Sequence, residues 1–350
     1  MPVTETDIAL ADPATLAARL IEHMVEHEVV FETRGVSTVA DLGRGTGTLT
    51  VLARALNVRV EAEDAGDLEM IRAVFAQHIV EFAEEPLEIR WTGLGESPDA
   101  FANFREIRLI SAEDLTPHLR RLRFSGPDLA RFASDEDLHV RLYFPPAGLA
   151  EPEWPRPGPD GRTLWPADER KPTPRYYTIR RIDLAAGTLD IDFVLHADAG
   201  PGSAFAETAQ PGARLGMVGP LGRTVRSASW HLLAGCETAL PAIARILEGM
   251  APDARGEVFL EVAGPEEEIP LAKPAGVALR WLHRDGALAG SQERLLDAIT
   301  AASWPEGAEP FIWIGCEFQI AKALRRHFEK ERGLPKERQL IVGYWSVDDD

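Results

Sequence analysis

Six consecutive residues, Arg175 to Arg180 (RYYTIR), combine a cation, aromatic rings and a hydroxyl in one strand-like run. Successive side chains of a strand face opposite ways, so Arg175 and Tyr177 should share one face. Tyr176 and Thr178 should share the other. An arginine fork grips phosphate, a tyrosine ring can lie on a flat heterocycle, and a threonine hydroxyl both donates and accepts hydrogen bonds. Such groups suit a flavin dinucleotide; the alternative is a barrel strand with ordinary alternation.

A glycine-rich turn, His196 to Ser203, follows this strand and leads into a short helical segment. Glycine allows a close approach of the backbone to a ligand, and Ser203 is placed to cap the helix. Free N–H groups at a helix N-terminus attract anions, so the turn is a candidate pyrophosphate site. The alternative is a plain glycine–proline turn capped by serine.

Two Gly-Cys-Glu turns, at residues 235–237 and 315–317, repeat in the C-terminal third of the chain. Each ends an apolar strand and begins a helix, and ligands of open parallel sheets bind at the carboxyl ends of the strands. The first turn, with a helix start at Pro241, suits the diphosphate of a nicotinamide dinucleotide. Glutamate and proline are also simply favoured in a first helical turn. We expect the two cysteines to line a pocket rather than to act as reactive thiols.

The elements that must position these residues fall into three patterns. Helices and strands alternate up to about residue 93, and residues 104–225 offer six strands separated by turns, which favours an antiparallel barrel. From residue 227 onward strands are followed by helices, which is typical of a parallel sheet covered by helices. We therefore predict a multidomain chain with an α+β module at 1–95, a flavin-binding antiparallel β-barrel at 100–226 and an α/β parallel-sheet nucleotide domain at 227–350.

Two stretches need separate interpretation. Residues 145–174 are rich in proline and predict a long surface loop at the barrel rim. Asp41 to Thr48 is similar to the glycine loop of S-adenosylmethionine methyltransferases. That fold needs several further strand–helix units, whereas one helix and one strand remain before the barrel. A glycine-rich hairpin is the better interpretation.

Composition limits the partners. The chain has 350 residues and a formal net charge of -19, which argues against nucleic acid and anionic membrane surfaces as partners. No apolar run approaches the roughly 20 residues of a membrane span, and no basic segment with an apolar run begins the chain. Two cysteines without CxxC spacing fit a cytosolic protein and do not favour a zinc site. We expect a cytoplasmic protein with no metal site.

Residues from about 105 to 345 resemble the siderophore-interacting protein family, the ferric-siderophore reductases of the ferredoxin–NADP reductase superfamily. Ordered motifs carry the resemblance: RYYTIR from Arg175, DFVLH from Asp192 leading to GPGS, GPLG from Gly219, AGCETALPAI from Ala234 and GYW from Gly343. Separately, residues of about 10–93 look like a small family of unassigned function.

The resemblance implies which residues hold the cofactors. For FAD they are Arg175, Tyr176, Tyr177, Thr178, His196, Gly202 and Ser203. For the nicotinamide nucleotide they are Gly235, Cys236, Glu237, Thr238, Ala239 and Pro241. The chain departs from the family pattern in having Cys236 for a common aspartate, Phe205 for a tryptophan and Ser346 for an arginine.

The implied activity passes electrons from NAD(P)H through FAD to a ferric siderophore and releases Fe(II), with no catalytic acid or base that we can name. An anionic ferric catecholate needs a basic patch, and candidates are Lys322, Arg325 and Arg326, with Arg180 and Arg181; solvated helix charge is the alternative. Acidic residues 266–268 follow the second strand of the α/β domain, so we expect NADH to be preferred, with NADPH possible. Two alternatives stay open. The chain could be a flavin reductase whose redox partner is ferredoxin or a quinone, or a siderophore-binding module without catalysis.

Overall fold

The structure is a computed structural model that describes residues 1–26, 29–83, 86–93, 100–149, 151–196, 200–222, 224–291 and 293–347. Contacts divide it into two compact units. The first is Met1–Phe104 with Pro145–Pro172, and the second is Arg105–Phe144 with Thr173–Asp350. Among the described helices, none has the length and apolar character needed to cross a membrane.

The helices and strands follow in chain order: β1 (Val3–Ala9), α1 (Pro13–Glu26), β2 (Val30–Arg34), β3 (Ser37–Asp41), β4 (Gly45–Val51), β5 (Ala55–Ala62), α2 (Ala65–Phe82), β6 (Phe104–Thr116), β7 (Leu119–Ser125), β8 (His139–Phe144), β9 (Arg156–Pro157), β10 (Thr163–Leu164), β11 (Thr173–Asp183), β12 (Thr188–Val194), α3 (Pro201–Thr208), β13 (Arg214–Leu221), β14 (Trp230–Cys236), α4 (Leu240–Gly249), β15 (Arg255–Val262), β16 (Gly276–His283), α5 (Arg294–Thr300), β17 (Pro310–Glu317), α6 (Phe318–Arg326) and β18 (Gln339–Trp345).

The first unit is built on a five-stranded antiparallel sheet in the order β1-β5-β4-β3-β2, with α1 and α2 packed on its apolar face. The predicted glycine-rich hairpin is confirmed, since β3 and β4 pair directly. Gly47 is needed there because a Cβ would overlap the ring of Phe75 on α2. Residues 87–91 alternate between apolar and polar types, which predicts a strand, but that prediction is wrong. The following residue, Thr92, forms a single bridge to Glu5 of the edge strand β1.

The proline-rich insertion belongs to the first unit rather than to the barrel rim. Its strands β9 and β10 form a short ladder, and Asp160 between them accepts the indole N–H of Trp91 on its backbone carbonyl at 2.9 Å. Gly161 lies against Trp91 and Arg72, where a Cβ would not fit. Proline content predicted irregular backbone correctly, but it could not tell which core the segment joins.

The barrel is closed, in the order β11-β12-β7-β6-β13-β8, and each of its six strands overlaps one of the six predicted from the sequence. Alternation along the strands directs phenylalanine and aliphatic side chains inward, so that one apolar core fills the barrel. The α/β domain has a parallel sheet in the order β16-β15-β14-β17-β18. Its inner strands are buried almost throughout, as strands covered on both faces must be.

Candidate functional site

The predicted flavin strand, β11, pairs with β8 in an antiparallel register that sets Tyr176 opposite Arg141 and Thr178 opposite His139. Tyr176 is 64% exposed, and the Arg141 guanidinium lies over its ring at 4.9 Å and donates to its hydroxyl. Arg175 is exposed too. The exposed Tyr176 ring and the Arg141 guanidinium thus lie together on one face of this strand pair, and the exposed Arg175 lies on the other face of β11.

Tyr177 is largely buried and packs in the barrel core. Its ring centroid lies 4.4 Å from that of Phe193 and 5.9 Å from that of Phe144. Burial raises the pKa of its phenol, against the opposing charge of Arg175. The Tyr177 hydroxyl occupies the space in which Gly202 of α3 would carry a Cβ. Of the two tyrosines, Tyr176 therefore has the more exposed ring, and Tyr177 fixes the start of α3.

The helix α3 begins at Pro201, with Gly200 at the N-cap and no side-chain cap. The prediction that Ser203 caps this helix is wrong, because proline at the first position starts the helix earlier. Ser203 is buried, and its hydroxyl accepts the backbone N–H of His196 at 3.2 Å. His196 itself is exposed, and residues 197–199 of the predicted pyrophosphate turn lie outside the described residues. The uncapped first turn suits an anion.

A hydrogen-bonded chain of three side chains runs from the barrel to the α/β domain. His139 Nδ1 lies 3.1 Å from the Thr178 hydroxyl, and His139 Nε2 lies 2.7 Å from the Tyr344 hydroxyl. Burial, reinforced by the charge of Arg245, lowers the pKa of His139 to about 4, so the ring is neutral at pH 7. The flavin strand and the last strand of the nucleotide domain thus meet at one imidazole. Sequence reasoning missed His139, because strand register cannot be read from spacing.

The two Gly-Cys-Glu turns lie side by side, since Gly235 on β14 pairs with Gly315 on β17. Neither position has room for a side chain. A Cβ on Gly235 would lie 2.5 Å from the carbonyl oxygen of Gly315, and a Cβ on Gly315 would lie 2.9 Å from Cζ of Tyr344. The predicted crevice at the carboxyl edge of the sheet is therefore built from closely approaching backbone.

The turns differ in what they offer a diphosphate. Glu317 caps α6, and its carboxylate accepts the backbone N–H groups of Gln319 and Ile320 at 2.6 and 3.0 Å. The start of α4, at Ala239, has no side-chain cap, and Pro241 lies in its first turn. Of these two helix starts, only that of α4 has no carboxylate on its first N–H groups.

Both cysteines are free and buried. Cys236 Sγ lies 3.1 Å from the Thr238 hydroxyl and accepts the indole N–H of Trp345 at 3.3 Å, and Cys316 Sγ donates to the carbonyl of Glu317 at 3.5 Å. Burial raises the pKa of both thiols, and nearby acidic groups act in the same direction. Protonated, buried thiols are poor nucleophiles, which agrees with the expectation that neither cysteine is a reactive thiol.

Glu237 is committed to a buried ionic cluster. Arg284 donates to its two carboxylate oxygens at 2.5 and 3.0 Å, and Glu261 lies 3.7 Å from the same guanidinium. Burial raises the pKa of Glu261, although Arg284 opposes this. The side chain of Glu237 is therefore not free to contact a nucleotide, and the turn offers its backbone and Thr238 instead. Two carboxylates share one cation at this edge of the sheet.

The acidic cluster predicted to meet a ribose is partly engaged elsewhere. Glu267 is buried and accepts hydrogen bonds from the Thr116 hydroxyl and, at 2.5 Å, from His118 Nδ1 of the barrel. Glu268 is paired with His283 Nε2 at 2.8 Å. Glu267 therefore joins the two domains of the second unit and is not free for a ribose, a role that spacing alone could not reveal.

The predicted basic patch is smaller than expected. Lys322 and Arg326 are exposed, one turn apart on α6. Arg325 donates through Nε to a backbone carbonyl of β18 at 2.8 Å, and Arg180 forms a two-point ion pair with Glu248 of α4 at 2.6 and 2.9 Å. Arg325 therefore connects α6 to β18, and Arg180 connects the barrel strand β11 to α4.

An open cavity of about 390 Å³ lies between the start of α6 and the end of β18. Ser346 lines it at the position where the family resemblance expects an arginine, and residues 348–350 of the acidic tail are outside the described part of the chain. The lining residues are Phe318, Gln319, Gly343, Tyr344, Trp345 and Ser346.

Comparison with protein families gives three matches that follow the architecture. Residues 108–224 match a siderophore-interacting FAD-binding domain, and residues 228–348 match a siderophore-interacting protein family. Residues 5–92 match a family described as an uncharacterized protein conserved in bacteria (DUF2218).

Similar proteins cover the barrel and the α/β domain. The ferric vibriobactin reductase ViuB of Vibrio cholerae is 34% identical over 245 residues, which span 69% of this chain and 89% of that protein. The NADPH-dependent ferric-chelate reductase of Escherichia coli is 30% identical over 69% of this chain and 92% of its own length. The crystal structure of a siderophore utilization protein from T. fusca superposes with a TM-score of 0.64 at 39% identity, covering 71% of this chain and 94% of that one.

Proposed function

This chain belongs to the siderophore-interacting protein family and carries its FAD-binding domain, and from that premise we propose that it reduces the Fe(III) of a ferric siderophore with electrons from NAD(P)H. The similar proteins from V. cholerae and E. coli are named as reductases of ferric vibriobactin and of ferric chelates. Release of Fe(II) in the cytoplasm is part of the proposal. Two free cysteines fit a reducing compartment.

One observation carries the proposal. The Thr178–His139–Tyr344 chain brings the exposed barrel strand and the carboxyl edge of the parallel sheet to a single point. A hydride donor bound at that edge would lie beside a ring held on that strand, and proximity of this kind is what transfer between two bound groups requires.

The residues present fit FAD. Gly202 leaves the first turn of α3 without a side chain above the Tyr177 hydroxyl, and that turn has no cap. We assign the pyrophosphate to this turn and to Arg175, and the ring system to the surface around Tyr176 and Thr178. When bound, FAD accepts two electrons from a nicotinamide and passes them singly, as Fe(III) requires. The protein positions the partners; we name no catalytic acid or base.

The nicotinamide nucleotide is assigned to the first Gly-Cys-Glu turn. Its diphosphate fits the start of α4, which has no side-chain cap, and Thr238, which is half-buried while its neighbours in the turn are buried, offers a hydroxyl. The second turn is closed to phosphate by the carboxylate of Glu317. These contacts are part of the proposal.

We propose NADH as the preferred donor. A 2′-phosphate needs a free cation, but Arg284 is shared by Glu237 and Glu261, and His283 is paired with Glu268. Excess carboxylate at this edge favours a free ribose and repels a phosphate. The E. coli relative is named as NADPH-dependent, so the donor must be measured on this chain. A higher kcat/KM with NADPH than with NADH would remove this part of the proposal.

The substrate is assigned to the exposed face of α6. Lys322 and Arg326 present two positive charges one turn apart, and an anionic iron complex would be attracted to them in a chain that is acidic overall. Reduction weakens the hold of hard oxygen donors on iron, because Fe(II) is a softer, less charged ion than Fe(III). Release then needs no further chemistry from the protein.

The test is anaerobic. FAD-loaded protein is mixed with a ferric hydroxamate or catecholate, NADH or NADPH, and a coloured Fe(II) chelator. We expect colour that depends on both protein and nicotinamide. Flavin bleaching without Fe(II) would contradict the substrate and point to another acceptor, such as a quinone. Absence of bleaching would contradict the donor and leave a ferredoxin donor or a binding module, neither of which any observation here favours.

A further inference from the structure

The chain Thr178–His139–Tyr344 has a defined direction, which follows from its chemistry. A neutral imidazole carries one N–H and one acceptor nitrogen, and both His139 nitrogens lie within hydrogen-bond distance of a hydroxyl. Only two arrangements satisfy both bonds. Either Tyr344 donates to Nε2 and Nδ1–H donates to Thr178, or Thr178 donates to Nδ1 and Nε2–H donates to Tyr344.

The geometry favours the first arrangement. A phenol is a stronger acid than an aliphatic alcohol, so Tyr344 is the better donor to an imidazole nitrogen. The bond to Tyr344 is the shorter of the two, 2.7 Å against 3.1 Å, and the longer distance lies in the range of N–H···O bonds. Gly222 lies against the imidazole edge, where a Cβ would come within 2.8 Å of Cδ2, so the ring has little freedom to turn.

This direction determines what Thr178 can do. If Nδ1–H donates to its oxygen, the Thr178 hydroxyl hydrogen is left to donate elsewhere, and Thr178 is buried with no other side-chain hydrogen bond among the described residues. Thr178 lies two residues after Tyr176 in an unbroken stretch of β11, so its side chain is on the face of the strand to which we assign the flavin ring.

We propose that His139 is a positioning residue which, together with Tyr344, fixes Thr178 as a hydrogen-bond donor to the flavin ring. The inference rests on the proposed function in placing the flavin at Thr178. Hydrogen bonds to the ring tune the reduction potential of a flavin, so a donor held in place by the last strand links the nucleotide domain to the energetics of the cofactor.

The first readout needs no cofactor. In ¹⁵N-labelled, FAD-free protein at pH 7, long-range ¹H–¹⁵N spectra should show His139 protonated on Nδ1, with its signals assigned by their loss in His139→Gln. Tyr344→Phe removes the donor, so the proton should move to Nε2. Two other histidines serve as internal references: His78 contacts a carbonyl through Nδ1 and His231 through Nε2. Neither should change in the variant.

The second readout is the potential of bound FAD, measured against a dye of known potential. We expect Tyr344→Phe to change the ratio of oxidised to reduced flavin about tenfold, which is ~30 mV for a two-electron couple. Thr178→Val should give a shift of the same sign, and Thr178→Ser should restore the wild-type value relative to it.

The outcomes separate this inference from the proposed function. Protonation of His139 on Nε2 in the wild type, or an unchanged potential in Tyr344→Phe, would overturn the inference even if the protein reduces ferric siderophores. An Nδ1 proton that moves in Tyr344→Phe, with the predicted shift in potential, would support it even if the physiological acceptor is not a siderophore. Failure of the protein to bind FAD would overturn both.

Discussion

Replacement of Gly202 by alanine tests the contact on which the FAD assignment depends. The added Cβ would overlap the Tyr177 hydroxyl oxygen and come within 3.0 Å of Cζ. Tyr177 cannot simply retreat, because its ring packs against Phe193 at 4.4 Å in the barrel core. Either the ring or the first turn of α3 must move.

The expected cost follows from overpacking, which destabilises well-packed cores by about 1–3 kcal/mol. Alanine also gains up to about 1 kcal/mol in helix propensity over glycine, so a matched control is needed. Gly249 is the last residue of α4, and a Cβ there would meet no atom within 4 Å. The difference between Gly202→Ala and Gly249→Ala isolates the clash.

The assay is urea unfolding of the FAD-free protein at pH 7, with FAD affinity measured separately by fluorescence titration. We expect Gly202→Ala to be about 1–3 kcal/mol less stable than Gly249→Ala and to bind FAD more weakly. Tyr177→Phe removes the hydroxyl, so the double variant should recover part of the loss, a coupling that a double-mutant cycle measures. Equal stability of the two alanine variants, or no coupling with Tyr177→Phe, would refute the reasoning.

Three further outcomes are expected. Arg175→Ala should weaken FAD binding about 10–100-fold, which corresponds to the loss of one charge-assisted hydrogen bond. The control Arg90→Ala, at a paired surface arginine of the first unit, should not weaken it, and an Arg175→Ala protein that purifies with full flavin would contradict the assignment. Cys236 and Cys316 should resist a thiol reagent such as DTNB in the native protein and react on unfolding, whereas rapid native labelling would show a reactive thiol. Glu267→Ala should lower the free energy of unfolding by about 1–3 kcal/mol, because it leaves the buried Thr116 hydroxyl without its acceptor. A change below about 0.5 kcal/mol would contradict its joining role.

Much of the fold could be predicted because it depends on local sequence patterns, namely the alternation of side chains and the order of strands and helices. All six barrel strands alternate between inward and outward side chains, and the strand–helix units of the α/β domain have apolar strands followed by helix starts. The crevice at the two Gly-Cys-Glu turns was predictable for the same reason, since the carboxyl ends of neighbouring parallel strands share an edge.

The parts that were missed depend on register and on long-range packing. His139 meets Tyr344 across 205 positions of sequence, and Glu267 meets Thr116 across 151. Nothing local marks either pair. The last strand, β18, was not predicted, although its GYW motif belongs to the family resemblance. The predicted capping role of Ser203 is wrong because proline begins the helix earlier.

The insertion between β8 and β11 has a consequence for anyone who wishes to divide this chain. Phe144 and Thr173 pair directly in the β8–β11 ladder, so the two strands are adjacent as in a hairpin. Residues 145–172, which connect them, fold with the first unit. Truncation near residue 100 would remove Trp91 and Arg72, which contact the insertion, and leave residues 145–172 as a long loop between two barrel strands without the core they pack on. To isolate the second unit, both the N-terminal segment and residues 145–172 must be removed, and Phe144 must be joined to Thr173 by a two-residue turn. In engineering terms the boundary between the modules is discontinuous, and a gene cut at one point does not separate them.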